Sequence, residues 1–546
     1  MTRKAPRIVA GLMIAGLSAL TLTGCFGSLN GSDSGSGGTA GADGGKQTSF
    51  IAVNNGEIKR VTGAQNPGSQ IAMAICEPLT GIKEDGSVFM RGAKSVESDD
   101  QKHWTVVVAP DHTFSDGTKI DAQTYVDTFN FIATGKNAMP SNYAYGQIAG
   151  YDEINKPDDT SGGDTLSGLK VVDANTFTID MKTPNNDVPY MLSTLPFCPV
   201  PASGLKDMTA YDKKPIGNGV YTLDSLDPQV EAVLTKDPKY KGWVPDGAAD
   251  KITFRVYTDT NTAYQDVAAG NADVLRSLPP GLIAQARNSL GDKGLTAIDR
   301  NTLETYVLWP TYLDKEFPIE VRQAFSMIIN RASIAKDLFK GAVAPATSLM
   351  PNSVSAYREG ACGEYCEYNP TKAKELLAKA NFTGTIPFNY SADNTTDAAL
   401  ALAVSNAAKE IGLNVEPRPT PAANLSEKIN DYKLDGPSTS LWGSSFPAAS
   451  EWIASITVDA NYHLKYTNDS AQADIVAAWG SKDEAAANKL WQSAEDKILA
   501  DQVIQPLYEQ VMYIAHTPCM KPHAAGGDMQ FLPHRGDLHG MSRAHH

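Results

Sequence analysis

The chain has 546 residues and a formal net charge of −15, with 62 acidic against 47 basic side chains. That balance argues against nucleic acid or an anionic membrane surface as the main partner, and the length exceeds what one hydrophobic core organises, so two to three lobes are expected. Beyond residue 22 no apolar run approaches the ~20 residues that span a bilayer.

The N-terminus reads as an export segment. Arg3, Lys4 and Arg7 make a positive start, Ile8 to Leu20 is an apolar run interrupted only by Gly and Ser, and Leu22-Thr23-Gly24-Cys25 closes it. The run is short for a membrane span, the small residues before the cysteine give a signal peptidase access, and the Cys25 thiol is a nucleophile able to take a diacylglycerol. The pattern matches a bacterial lipobox, with an ordinary secretory signal or a buried N-terminal helix as the alternatives. Residues 1–24 are therefore expected to be a lipoprotein signal peptide and Cys25 the lipidation site. From Phe26 to Gln47 the chain is almost entirely Gly, Ser, Asp, Thr and Ala, which cannot bury enough apolar surface to offset ordering entropy. Residues 25–47 are expected as a flexible Gly/Ser linker with a reach of about 25 Å, holding the body at the extracytoplasmic face of the cell membrane.

Six cysteines become five after lipidation. Cys362-Gly363-Glu364-Tyr365-Cys366 closes a small loop suited to a local disulfide outside the cytoplasm. No pairing among Cys76, Cys198 and Cys519 can be read, and the odd count leaves at least one thiol free. A zinc site lacks a second Cys or His pair at ligand spacing.

In chain order, a strand opens the body at Phe50–Val53, an apolar run covers Ile71 to Ile75, and Cys76-Glu77-Pro78-Leu79-Thr80 follows. His103–Val108 reads as a strand and Asp116-Gly117 as a turn. Asp121 caps a helix to Ile132, with Tyr125, Phe129 and Ile132 on one face. Asp111 and Asp116 lack the spacing of a calcium loop. Leu169 to Met181 alternates as a hairpin around Asp173-Ala174-Asn175, and the Pro-rich run Leu195 to Pro201 reads as a crossing between lobes. Pro215 to Tyr221 is a glycine turn feeding a strand, which excludes a phosphate loop. Lys251–Tyr257 is a strand, Thr262–Ala269 a helix, and Pro318–Phe339 a single amphipathic helix. Another helix starts at Asn369-Pro370 and buries Ala373, Leu376, Leu377 and Ala380.

From Thr385 strands and helices alternate: strand to Tyr390, helix Thr395–Ile411, strand Leu413–Pro417, helix Ala422–Asn430, strand Ser438–Trp442. Alternation implies a parallel, doubly wound sheet, and in such sheets ligands sit beyond the carboxyl ends of strands. Gly443 to Pro447 is therefore a cleft-edge candidate, an ordinary surface turn being the bland alternative.

Several of these segments, in this order, resemble the family 5 extracellular solute-binding proteins of ABC importers, the oligopeptide- and dipeptide-binding lipoproteins. The resemblance rests on Cys76-Glu77-Pro78-Leu79; on Trp104 through Phe114-Ser115-Asp116-Gly117; on Pro215 to Tyr221; on Asp237-Pro238-Lys239-Tyr240; and on Ala269-Gly270-Asn271-Ala272-Asp273. Further on it rests on Val321-Arg322-Gln323-Ala324-Phe325 with Asn330-Arg331, and on Asn369-Pro370 through Leu377. It runs from about residue 50 to the end.

What the resemblance implies is an α/β fold, a type II periplasmic-binding-protein-like two-lobed clamp with an extra subdomain. Lobe I would comprise residues 50–81, 206–302 and 500–546, extra lobe II residues 82–205, and lobe III residues 303–499, with hinge crossings near 302 and 500. The chain would be a lipid-anchored, monomeric receptor that captures peptides by hinge closure and delivers them to an ABC permease and its ATPase subunits. An oligosaccharide or a nickel or other metal complex is the alternative solute. Peptides would lie as extended strands held through main-chain hydrogen bonds. The implied lining is Ala64, Gln65 and Asn66, on to Gln70; Tyr306 near the hinge; and Trp442, Gly443, Ser444, Ser445 and Phe446. Many peptide binders of this family carry an Asp that pairs the ligand ammonium where this chain has Ser445. Either Glu304, Glu451 or Glu77 supplies that charge, or the ligand has no free ammonium there.

Signs of an enzyme are weak. Ser203-Gly204-Leu205-Lys206 fits Ser-x-x-Lys but has no partner motif, so an exported hydrolase is a remote alternative with no assignable catalytic residue. Neither a cofactor motif nor a metal cluster stands out. Six of the nine histidines (His516, His523, His534, His539, His545, His546) crowd the C-terminal tail without a carboxylate or cysteine cluster at matching spacing.

Overall fold

The computed structural model describes residues 48–83, 85–156, 163–245, 248–298, 303–457, 462–518, 520–521 and 534–535; the segment expected for export, Cys25, the expected linker, Cys519 and most of the histidine-rich tail lie outside them. Among the described residues no helix is long and apolar enough to cross a membrane.

Ser49–Asn55 becomes a strand because alternate residues bury Phe50 and Ala52, and it pairs in parallel with Lys251–Tyr257 from Ser49↔Lys251 to Asn55↔Tyr257. Around this pair a seven-stranded sheet forms in the order Leu295–Ile298, Met512–His516, Val274–Leu275, Ser49–Asn55, Lys251–Tyr257, Glu231–Lys236, Tyr221–Asp227. An antiparallel four-stranded sheet, Ala93–Ser98, His103–Val108, Thr176–Asp180, Leu169–Val171, makes the second body. The helix Ala122–Ala133 covers it, and Asp121 starts that helix with a capping box: its carboxylate accepts the Thr124 amide at 3.0 Å while the Thr124 hydroxyl accepts the Asp121 amide at 3.3 Å. Tyr125, Phe129 and Ile132 are fully buried beneath it, against Phe177 and Phe197.

The third body is a six-stranded sheet in the order Val343–Pro345, Ile504–Gln510, Leu303–Leu308, Ser438–Gly443, Thr385–Ser391, Asn414–Thr420. Its last three strands are parallel and linked by the helices Thr395–Glu410 and Ala422–Asn430, as the alternation predicts. The other half is antiparallel, so the sheet is mixed rather than wholly parallel, because Leu303–Leu308 and Ile504–Gln510 bring the chain in and out of this body at its centre. The chain thus passes between the first and third sheets after Ile298 and again at Val511, later than the crossing expected near 500.

The helix expected over 318–339 is interrupted. Ile319–Met327 is helical, Asn330 then caps a short turn by accepting the Ser333 amide at 3.0 Å, and Ile334–Leu338 is a π turn. The break turns Arg331 inward, where its buried guanidinium donates to the carbonyls of Pro506 at 2.8 Å, Ser326 at 3.1 Å and Cys366 at 3.2 Å, and to the Ser326 hydroxyl at 2.9 Å. A guanidinium is suited to this because its donors diverge in a rigid fork.

Cys362 and Cys366 are bridged, as expected, and Cys76 pairs with Cys198 across a Cα–Cα distance of 6.2 Å. The latter ties the end of the helix Gln70–Ile75 to the Pro-rich run, a link with no sequence signature because 122 residues separate the partners.

Next to Cys76, three of the recurrent segments meet on Glu77, which is buried. The Tyr240 hydroxyl donates to its carboxylate at 2.6 Å, Arg91 lies 3.7 Å and His112 Nδ1 3.6 Å from it. The backbone of Glu77 exchanges two hydrogen bonds with the Asn218 side chain, at 3.1 and 2.8 Å. Gly217 abuts Ile75 so closely that a Cβ would fall 2.2 Å from the Ile75 carbonyl oxygen, and at Gly242 one would fall 2.6 Å from the Glu77 carboxylate. Glu77→Ala should leave Arg91 in a site built for an ion pair and lower unfolding free energy by about 3–5 kcal/mol; urea unfolding measures it, and a loss under about 1 kcal/mol would show the junction to be dispensable.

Candidate functional site

Between the second and third bodies lies a cleft of about 460 Å³, within the size range of small-molecule sites. One wall is formed by Pro67, Gly68, Tyr143, Asp187, Phe197 and neighbours, the other by Trp442, Gly443, Ser445, Phe446, Glu451 and Trp479. The second wall exists because Ser438–Gly443 ends there: its carboxyl end releases the chain into residues 444–449, and the helix Ser450–Thr457 follows.

Of the residues expected from sequence, Trp442, Gly443, Ser445 and Phe446 line the cleft, whereas Ser444 between them is buried without lining it. Trp442 is held by two contacts. Its indole N–H donates to the Glu451 carbonyl at 2.8 Å, and its ring lies 4.9 Å from that of Tyr462. Ala64 is buried, and Gln65 and Asn66 stand just outside the lining, on the turn that presents Pro67 and Gly68. Asn66 shapes that turn by accepting the Gly68 amide at 3.2 Å.

Tyr306 faces the core: it is 2% exposed, and its hydroxyl donates to Glu304 at 2.9 Å or the Leu349 carbonyl at 2.8 Å. Its side chain leaves the sheet on the face covered by Leu349, Trp452, Ile453 and Tyr462, a buried cluster to which it belongs. Of the three acids considered as ligand partners, Glu304 is fully buried beside Tyr306, with burial and the neighbouring Glu509 raising its pKa well above the usual range, and Glu77 is consumed in the junction described above. Glu451 alone of the three lines the cleft, and its carboxylate accepts the Ser445 amide at 3.0 Å. The acid thus reaches the Ser445 position from six residues along the chain.

Tyr143, Asp187, Phe197 and Trp479 line the cleft without having been legible in the sequence. Asp187 and Trp479 meet across it. The Trp479 indole N–H donates to the Asp187 carboxylate at 2.9 Å, the Asn186 side-chain amide donates to the Ala478 and Ser481 carbonyls at 3.0 and 3.1 Å, and Tyr190 stacks on Phe446 at 5.8 Å. Asn186 thereby satisfies carbonyls at the exposed end of the helix Asp469–Trp479. The exposed Lys482–Asp99 pair nearby, at 3.3 Å, adds little. Among the described residues no group of three or more His, Cys, Asp or Glu is arranged to hold a metal ion.

Two sheet-based bodies joined by a double chain passage, with a cleft whose walls come from different bodies, define a solute-binding clamp. Residues 90–507 match the model of the bacterial extracellular solute-binding proteins, family 5, and the chain belongs to that family. It is 24% identical over 487 residues to the periplasmic oligopeptide-binding protein OppA of Salmonella typhimurium, covering 84% of this chain and 85% of that one. It is 23% identical over 470 residues to the glutathione-binding protein GsiB of Salmonella paratyphi A, covering 82% and 85%. The periplasmic murein tripeptide-binding protein MppA, in its unliganded open form, superposes with a TM-score of 0.75 at 18% identity over 88% of this chain and 94% of that one.

Asp187 couples stability to pH. Burial raises its carboxyl pKa against the pull of Ser450 and Trp479, so the proton is held more tightly in the folded protein than in the unfolded chain. Its contribution to stability is fully present below the ordinary carboxylate value, near pH 4, and is lost as pH rises through the raised value. Urea unfolding across that interval should show Asp187→Asn flattening this part of the pH dependence; an identical profile in the variant would place the effect elsewhere.

Proposed function

We propose that this protein is the extracytoplasmic substrate receptor of an ABC importer and that its cargo is peptide, bound in the cleft between Trp442–Phe446 and the facing wall. The observation carrying this reading is the position of the cleft at the carboxyl end of Ser438–Gly443, flanked by residues from two bodies, in a chain whose relatives include proteins named for binding oligopeptides and glutathione. Peptide lies extended, its backbone meeting main-chain groups of Gly443 and its neighbours, and Glu451 takes its ammonium in place of the acid that many peptide binders carry at the Ser445 position. Differential affinity for the closed arrangement drives the hinges after Ile298 and at Val511, and the permease engages the closed clamp. No chemical step is required of it. Cys25 carries the lipid, and the linker to Gln47 keeps the clamp at high effective concentration near its permease.

Native mass spectrometry of the purified chain should reveal a heterogeneous series of co-purified peptides; one defined sugar or metal-complex mass would refute the peptide assignment. Trp442→Ala should weaken binding of that cargo about tenfold while the far-ultraviolet spectrum stays native, and unchanged affinity would show the cleft to be misplaced. Cys25→Ser should move the protein from the membrane fraction to the soluble extracytoplasmic fraction and remove a diacylglycerol-sized mass; persistence in the membrane fraction would exclude the anchor.

A further inference from the structure

We propose that this cleft selects its solute by positive charge and supplies no partner for a ligand carboxylate, so that its cargo is a short cationic peptide whose C-terminal carboxylate is absent or lies outside the cavity. The inference rests on the reading of the cleft as the ligand site. Each wall contributes one acid: Asp187, 7% exposed, on one side and Glu451 on the other. No lysine, arginine or histidine is among the described residues that line the cavity. The groups that Asp187 meets across the cleft, the indole N–H of Trp479 and the hydroxyl of Ser450, are neutral, and burial raises its pKa. A carboxylate withdrawn from water in this way is destabilised until a cation reaches it.

The remaining surface favours the same class of ligand. Tyr143, Trp442 and Trp479 are among the residues that line the cavity, and aromatic rings attract ammonium and guanidinium groups, more strongly where water is displaced. A ligand carboxylate entering the same space would add a third negative charge, with no guanidinium or ammonium among the described lining residues to receive it, and charge repulsion disfavours it. Discrimination then comes from a repulsive element against anions as much as from attraction to cations.

The test is calorimetric titration of the full chain with peptides matched in length: N-acetyl-tri-alanine amide, tri-alanine amide, tri-alanine with a free carboxylate, tri-lysine amide and tri-glutamate, together with the polyamine spermidine. Tri-lysine amide should bind at least about tenfold more tightly than N-acetyl-tri-alanine amide, the free-carboxylate form of tri-alanine should bind no more tightly than its amide, and tri-glutamate should not bind. Glu451→Gln and Asp187→Asn should each reduce the ratio of tri-lysine to neutral affinity about fivefold or more, a ratio that a change in closure or folding common to all ligands does not move. Equal affinity for the neutral and cationic peptides, binding of tri-glutamate, or tighter binding of the free carboxylate would overturn the inference. Binding of spermidine with no peptide bound would preserve the charge selection and remove the peptide reading; absence of binding by any cation in the series overturns the charge selection.

Discussion

A carboxylate taken out of water must be answered by its neighbours, and around Glu77 that requirement draws the first two bodies of the molecule together. Tyr240 and Asn218 come from the seven-stranded body, Arg91 and His112 from the second, and the Cys76–Cys198 bridge lies one residue away. Gly217 and Gly242 are glycines because the backbone or the carboxylate occupies the space where a side chain would begin. With these two bodies locked to each other, the wall that runs from Pro67 through Tyr143 to Phe197 has a defined position, and the third body, joined to the first by two chain passages among the described residues and by a shared apolar cluster, faces it.

Arg331 does for the third body what Glu77 does for the first two. Its guanidinium gathers carbonyls from the interrupted helix, from the loop of the Cys362–Cys366 bridge and from the strand Ile504–Gln510 at Pro506. The loss of helical hydrogen bonds at Asn330 is offset by these charge-assisted ones. The strand Ser438–Gly443 pairs with Leu303–Leu308, whose other neighbour is the strand that Arg331 holds at Pro506, and the segment that leaves Ser438–Gly443 forms a binding wall. The two walls touch through Trp479 and Asp187, Asn186 and the helix end, and Tyr190 and Phe446. These contacts combine hydrogen bonds with apolar packing, since Phe446 and Ala448 are buried against the hydrophobic cluster of the second body.

Much of this was legible locally. The capping residue Asp121, the hairpin around Asp173 to Asn175, the alternation of strands and helices from Thr385 and the close Cys362–Cys366 pair are each decided by neighbours in the chain, because propensity, turn chemistry and period act over a few residues. The fates of Tyr306 and Ser444 were not: whether a side chain meets a cleft or a core depends on which distant segments pack over it. Glu451 could be put forward as a candidate acid but not separated from Glu304 and Glu77, since all three are carboxylates near a motif and only burial distinguishes them.

The order of its motifs and the periodicity of its apolar residues by themselves determined the family, the α/β class, the βαβ limb of the third body and the end of the strand where a ligand site would open, because these depend on hydrophobic period and on turns that the chain encodes within short windows. Tertiary structure alone decided the antiparallel half of that sheet, the Cys76–Cys198 partnership, the inward turn of Arg331 onto Pro506 and the pairing of Asp187 with Trp479 across 292 residues. Each of those unites segments far apart in sequence, and such contacts are selected by burial and charge compensation in the assembled molecule rather than by any local preference.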